Sequence, residues 1–241
     1  REDLENIKSL GCDHIRLPID FFDMTGPGPD YTLDPVFFYL LDQVVGWTEE
    51  LGLFLILDNH SFDPTSEITP DIIDQLLAIW IQMADHYKKH SNHIYYEILN
   101  EPHTISDEVW NDMQQQVIDA IRSADSVHTI IVSPADWGSY NHLVNLPEIE
   151  DTNLLYTFHF YDPWIFTSQG SYWSDPPMDN LSGIPYPYEA ERMPALPSEL
   201  AGTYVEERYN AYPEQGNDTW VRSQINKAIR FSFERVVPLW C

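Results

Sequence analysis

Short apolar or β-branched runs alternate along the chain with longer stretches in which apolar residues recur every three or four positions. The runs predict strands over 14–19, 53–58, 94–99, 129–133, 154–160 and 236–240. Helical spacing fills the intervals. Asp34 and Pro35 read as an N-cap and first helical position ahead of Phe37, Leu40, Leu41, Val44 and Leu51. Thr69 and Pro70 repeat that start ahead of Ile73, Leu76, Leu77, Trp80, Ala84 and Tyr87. Ser106, with Asp107 and Glu108 in the first turn, opens a helix carrying Trp110, Met113, Val117 and Ile121. A helix over 3–10 closes at Gly11, and another resumes near Thr219 with Val221, Ile225 and Ile229.

Alternating strands and helices predict a parallel sheet built from βα units. The series opens on a helix and closes on a strand, which matches strands two to seven of a (β/α)8 barrel, a fold of about 250 residues when complete. The expectation is therefore an α/β TIM barrel truncated at both ends, forming one partial catalytic domain over 1–241. An open doubly wound sheet is the alternative, but it wants a Gly-rich turn after its first strand, and no GxGxxG occurs. One segment breaks the period: about 161–216 is rich in Pro, Tyr, Trp, Asp and Ser. It is too long for a plain connection and is expected to be a loop insertion after the sixth barrel strand, on the ligand-binding face.

Composition narrows the chemistry. The 241 residues include 12 Lys and Arg against 39 Asp and Glu, a net charge of −27, so phosphate backbones and anionic membranes are repelled. Neutral ligands such as sugars are unaffected by that field. The two cysteines, Cys12 and Cys241, are too few for a disulfide scaffold or a thiolate metal site and read as small apolar residues. No apolar run of about 18 residues is present to span a membrane. His86, His90 and His93 sit with Lys88 and Lys89 at a helix end, a setting that favours cations against the helix dipole over a metal site. No metal or cofactor is expected.

The carboxyl ends of the predicted strands carry Arg16, His60, Asn100 with Glu101, Trp137, and His159 with Tyr161. Ligand sites of barrels lie at those ends. A guanidinium inside the apolar run at 15–19 needs a carboxylate, and Glu97, which has the parity of Glu101, is one candidate.

The run Tyr96-Glu97-Ile98-Leu99-Asn100-Glu101-Pro102 resembles the strand-four signature of glycoside hydrolase family 5, a large group of retaining β-glycosidases that includes many endoglucanases. It stands in register with Ile15-Arg16-Leu17-Pro18, Leu57-Asp58-Asn59-His60, Asp136-Trp137-Gly138-Ser139 and Phe158-His159-Phe160-Tyr161. The resemblance implies hydrolysis of a β-glucan such as cellulose, with endo-β-1,4-glucanase the first choice and mannanase, xyloglucanase and β-1,3-glucanase sharing the machinery. It implies Glu101 as general acid and base, Asn100 on the sugar 2-hydroxyl, and His60 and His159 on substrate hydroxyls. Arg16 and Tyr161 would orient the nucleophile, and Trp137, Trp164 and Trp173 would offer stacking faces. It further implies a secreted monomer with an oligosaccharide or polysaccharide as its partner. The family's nucleophile, a glutamate in a Gly-Glu-Phe-Gly-like run, is not among these residues and is expected to follow Cys241, which leaves the chain alone inactive. The alternative is a non-catalytic carbohydrate-binding barrel.

Overall fold

The computed structural model describes all 241 residues, divided between two compact units: Arg1–Phe158 with Val236–Cys241, and His159–Arg235. In the first unit, α1 (Glu2–Ser9) leads to β1 (His14–Ile19), α2 (Pro35–Leu51), β2 (Phe54–Asn59), α3 (Ile73–Tyr87), β3 (Ile94–Glu97), α4 (Asp107–Ala124) and β4 (Thr129–Val132). A single turn, α5 (Ala135–Gly138), precedes β5 (Leu154–Thr157). The second unit holds α6 (Trp164–Thr167), α7 (Tyr204–Gln215) and α8 (Asp218–Arg235), after which β6 (Leu239–Trp240) returns to the first unit's sheet.

The six strands are all parallel and lie side by side in chain order. A doubly wound sheet reverses direction part-way across, whereas a barrel adds each strand beside the last. The open-sheet alternative is thereby excluded, and the sheet has the order expected of strands two to seven of an eight-stranded barrel.

Two of the predicted helix starts, at Asp34 and Ser106, are realised in atomic detail, whereas Thr69 makes no cap bond and a 3₁₀ turn (Pro70–Ile72) precedes α3. The Asp34 carboxylate accepts from Val36 N–H at 2.7 Å, Pro35 opens α2, and Gly52 closes it in the left-handed conformation (φ 64°) that a Cβ would strain. Ser106 caps α4. The apolar face of α2 differs by one position from expectation: Leu41, Val45 and Thr48 are buried while Leu40 is 56% exposed. The core runs through Leu53, Leu55 and Leu57 of the second strand region, Trp80 and Met83 of α3, and Trp110, Val117 and Ile121 of α4. Cys12 and Cys241 are free thiols at exposed positions, not core residues.

Strand ends are shorter than predicted because the chain bends there while its hydrogen bonds continue. Asn100 N–H still donates to the Asn59 carbonyl at 2.8 Å, and Phe158 N–H to the Trp240 carbonyl at 3.2 Å. The run at 236–240 starts late because Val236 has φ 55°, outside the extended region.

The segment expected to be a loop contains a core of its own. Ile165, Met178, Leu181, Ile184, Leu200, Val205 and Tyr212 are buried together. The Tyr212 hydroxyl donates to the Pro185 carbonyl at 2.6 Å, and burial pushes its pKa up to about 12. Proline-rich sequence hid this unit, because residues such as Met178, Leu181 and Ile184 pack without helical or strand periodicity.

Candidate active site

Arg16 lies on β1, beside Asp58 at the end of β2 and Glu97 at the end of β3, which are register partners. Its Nε and one terminal nitrogen donate to the two Glu97 carboxylate oxygens at 2.7 and 2.8 Å. The same terminal nitrogen reaches Asn100 Oδ1 at 2.8 Å and Asp58 Oδ2 at 3.0 Å. Burial works against the Arg16 charge, but the hydrogen bond and attraction of Glu97, with Asp58 and Glu101 adding to it, outweigh that and raise its pKa. The pairing with Glu97 suggested by parity is therefore present.

From Asn100 the network turns to His60. Asn100 Nδ2 lies 3.3 Å from His60 Nε2, and His60 Nδ1 lies 2.8 Å from Asp58 Oδ2. Arg16 can only donate, so Asn100 Oδ1 faces it and the amide N–H group faces His60. His60 then accepts at Nε2 and donates from Nδ1 to Asp58, which closes a ring of four side chains. The hydrogen bond to Asp58 is the main cause of a raised His60 pKa; partial burial and the Arg16 charge oppose it.

Glu101 follows with φ 44°, an uncommon conformation for a residue with a Cβ. With His60, Asn100, Asp20, Ser61, Phe62 and Asp63 it lines a cavity of about 280 Å³ at the carboxyl ends of the strands. Trp137 is 38% exposed, and one face of its indole stacks on His103 at 3.8 Å. The sequence reading missed His103, Phe62 and the site role of Asp58. Only Asp58 carried a signal, since it shares a strand face with His60.

His159 and Tyr161 open the second unit, their rings edge to face at 6.3 Å. Trp164 packs against that unit's core and against Tyr204, whereas Trp173 is 52% exposed. The first-unit candidates Arg16, His60, Asn100 and Glu101 thus stand together.

The family model for cellulase (glycosyl hydrolase family 5) matches residues 1–233. The chain belongs to glycosyl hydrolase family 5. Within the family, it is 29% identical to Endoglucanase 3 of Fibrobacter succinogenes, covering 98% of this chain and 39% of that protein. It is 28% identical to Endoglucanase C of Acetivibrio thermocellus, covering 100% of this chain and 72% of that protein. Among solved structures it superposes on endoglucanase Cel5A of Thermotoga maritima with a TM-score of 0.73 and 26% identity, over 99% of this chain and 80% of that one. That family 5 protein has also been solved with cellobiose and with mannotriose. No helix of this family 5 chain is long and apolar enough to cross a membrane.

Proposed function

We propose that this chain provides the catalytic machinery of a retaining β-glycosidase acting on a β-glucan, with endo-β-1,4 cleavage its first activity. The observation that carries the reading is Asn100, whose amide is held at one end by Arg16 and at the other by His60, directly before Glu101. An amide has two N–H donors, and His60 uses one. The second is left for a sugar 2-hydroxyl, a bond that strengthens as positive charge develops on the sugar ring. Glu101, lining the adjacent cavity, donates a proton to the departing glycosidic oxygen and afterwards takes one from water.

Retention requires a second carboxylate about 5–5.5 Å from the first. Glu97 and Asp58 are poor candidates, because Arg16 already engages both. The nucleophile is therefore assigned to the family's next strand segment, with Arg16 and Tyr161 orienting it. His159 and the exposed faces of Trp137 and Trp173 supply further sugar contacts, and the segment at about 161–216 is read as a loop insertion within one catalytic domain. The partner is a neutral polysaccharide or its oligosaccharides, met as a secreted monomer; no cofactor takes part.

The test assays the 241-residue chain, alone and with its native continuation, for reducing ends released from a soluble β-glucan. Glu101→Gln should remove about 10² to 10⁴ of the turnover in whichever form is active. Turnover within about tenfold of wild type would deny Glu101 the acid's role. Retained glucan affinity with no release in either form would identify a carbohydrate-binding barrel instead.

A further inference from the structure

His103 takes no part in the roles above, yet it is 1% exposed and sits two residues after Glu101. Its Nδ1 lies 2.7 Å from the carbonyl oxygen of Glu101, and its Nε2 lies 3.0 Å from that of Ser66. Each contact is within hydrogen-bond distance of a carbonyl oxygen, which only accepts. The ring face lies on the Trp137 indole at 3.8 Å with an interplanar angle of 3°.

The backbone around this ring is strained. Glu101, Thr104, Asp136 and Trp137 have φ of 44°, 57°, 54° and 64°. Such conformations are costly for a residue with a Cβ and persist where their surroundings over-determine them. Trp137 N–H donates to the Pro102 carbonyl at 3.1 Å, and Thr104 Oγ1 accepts from Ile68 N–H at 2.8 Å. His103 is the centre of this bracing: one side chain joins the Glu101 peptide, the loop at Ser66 and the turn at Trp137.

We propose that His103 is a positioning residue for Glu101: stacked on Trp137, its ring holds the strained Glu101 peptide, and so sets where the carboxyl group meets the glycosidic oxygen. This inference rests on the proposed role of Glu101 and deepens it.

The experiment uses the form of the protein that turns over β-glucan and compares wild type, His103→Phe, His103→Gln and Glu101→Gln. Phenylalanine keeps a ring against Trp137 and loses both polar contacts; glutamine restores a donor. Each is assayed on the β-glucan and on dinitrophenyl β-cellobioside, whose leaving group scarcely needs a proton. His103→Phe should lower kcat on the glucan by about 10- to 100-fold with KM little changed. Its loss on the aryl substrate should be several-fold smaller, and His103→Gln should recover part of the glucan activity.

Equal losses on both substrates with a matching fall in Tm would reduce His103 to a packing residue and overturn the proposal. Glucan turnover lost in Glu101→Gln but unchanged in His103→Phe would overturn the positioning alone, whereas turnover that survives Glu101→Gln would overturn the reading of Glu101 and the positioning with it. If His103→Phe does not fold, the substrate ratio in His103→Gln decides.

Discussion

His60 is pulled in two directions by its neighbours. Protonation strengthens its pairing with Asp58, which is why its pKa is raised above the ordinary 6.5. The same proton turns Nε2 into a donor facing the Asn100 amide, so the four-membered ring of side chains opens. The folded state holds this proton more tightly than the unfolded state, so the stabilisation is complete below about pH 6.5 and is lost as pH rises through the folded value. Thermal melts across that window should show wild type losing stability relative to His60→Gln as pH rises; a difference that stays flat would remove the linkage. Residues of this network were legible where a strand imposed parity, as with Arg16 and Glu97. His103 was not legible: it lies in a loop with no periodicity, and its partners Ser66 and Trp137 are remote in sequence and brought near only by folding.

Elements are joined on the amino-terminal side of the strands by a second buried network. Asp125, which follows α4, accepts from Val127 and His128 N–H, from the Tyr96 hydroxyl at 2.9 Å and from the His128 ring at 2.5 Å. Burial alone would raise its pKa, but these donors outweigh burial and hold it below 3.8. Its stabilisation is therefore present above about pH 3.8 and lost as pH falls through the folded value. Asp125→Ala, which strands a buried histidine and tyrosine, should cost about 3–5 kcal/mol in urea unfolding at neutral pH. A cost below about 1 kcal/mol would mean that the network adds little beyond what packing of α4 supplies. Helix starts were legible because caps are local chemistry, as at Asp34 and Ser106. Which residues a helix buries was less so: in α2 Thr48 is buried and Leu40 exposed, since the neighbouring element, not hydrophobicity alone, decides.

Across the whole molecule, 39 acidic side chains face 12 basic ones. Many of the cations are already spent in short pairs, such as Arg122 with Asp151 at 2.6 Å and Arg16 with Glu97. The residual field is repulsive and acts at long range, so salt should weaken it: the Debye length falls from about 10 Å at 0.1 M to about 3 Å at 1 M. The Tm should rise by at least about 2 °C between dilute and molar sodium chloride, a shift worth roughly 0.5–1 kcal/mol. A fall in Tm would mean that screened ion pairs outweigh the repulsion. Charge and the order of strands were open to the sequence at this scale. The second core was not, because its apolar residues are spread through a proline-rich stretch in which no single element repeats.

That second core also gives the polypeptide two separate centres of packing. The chain leaves the sheet after Phe158 and re-enters at Val236, and the stem is closed by Tyr156 N–H on the Pro238 carbonyl and Phe158 N–H on the Trp240 carbonyl. Cohesion of the stretch ahead of α8 comes from its own buried side chains, from Ile165 to Tyr212. Mutations among those side chains answer first to that local core.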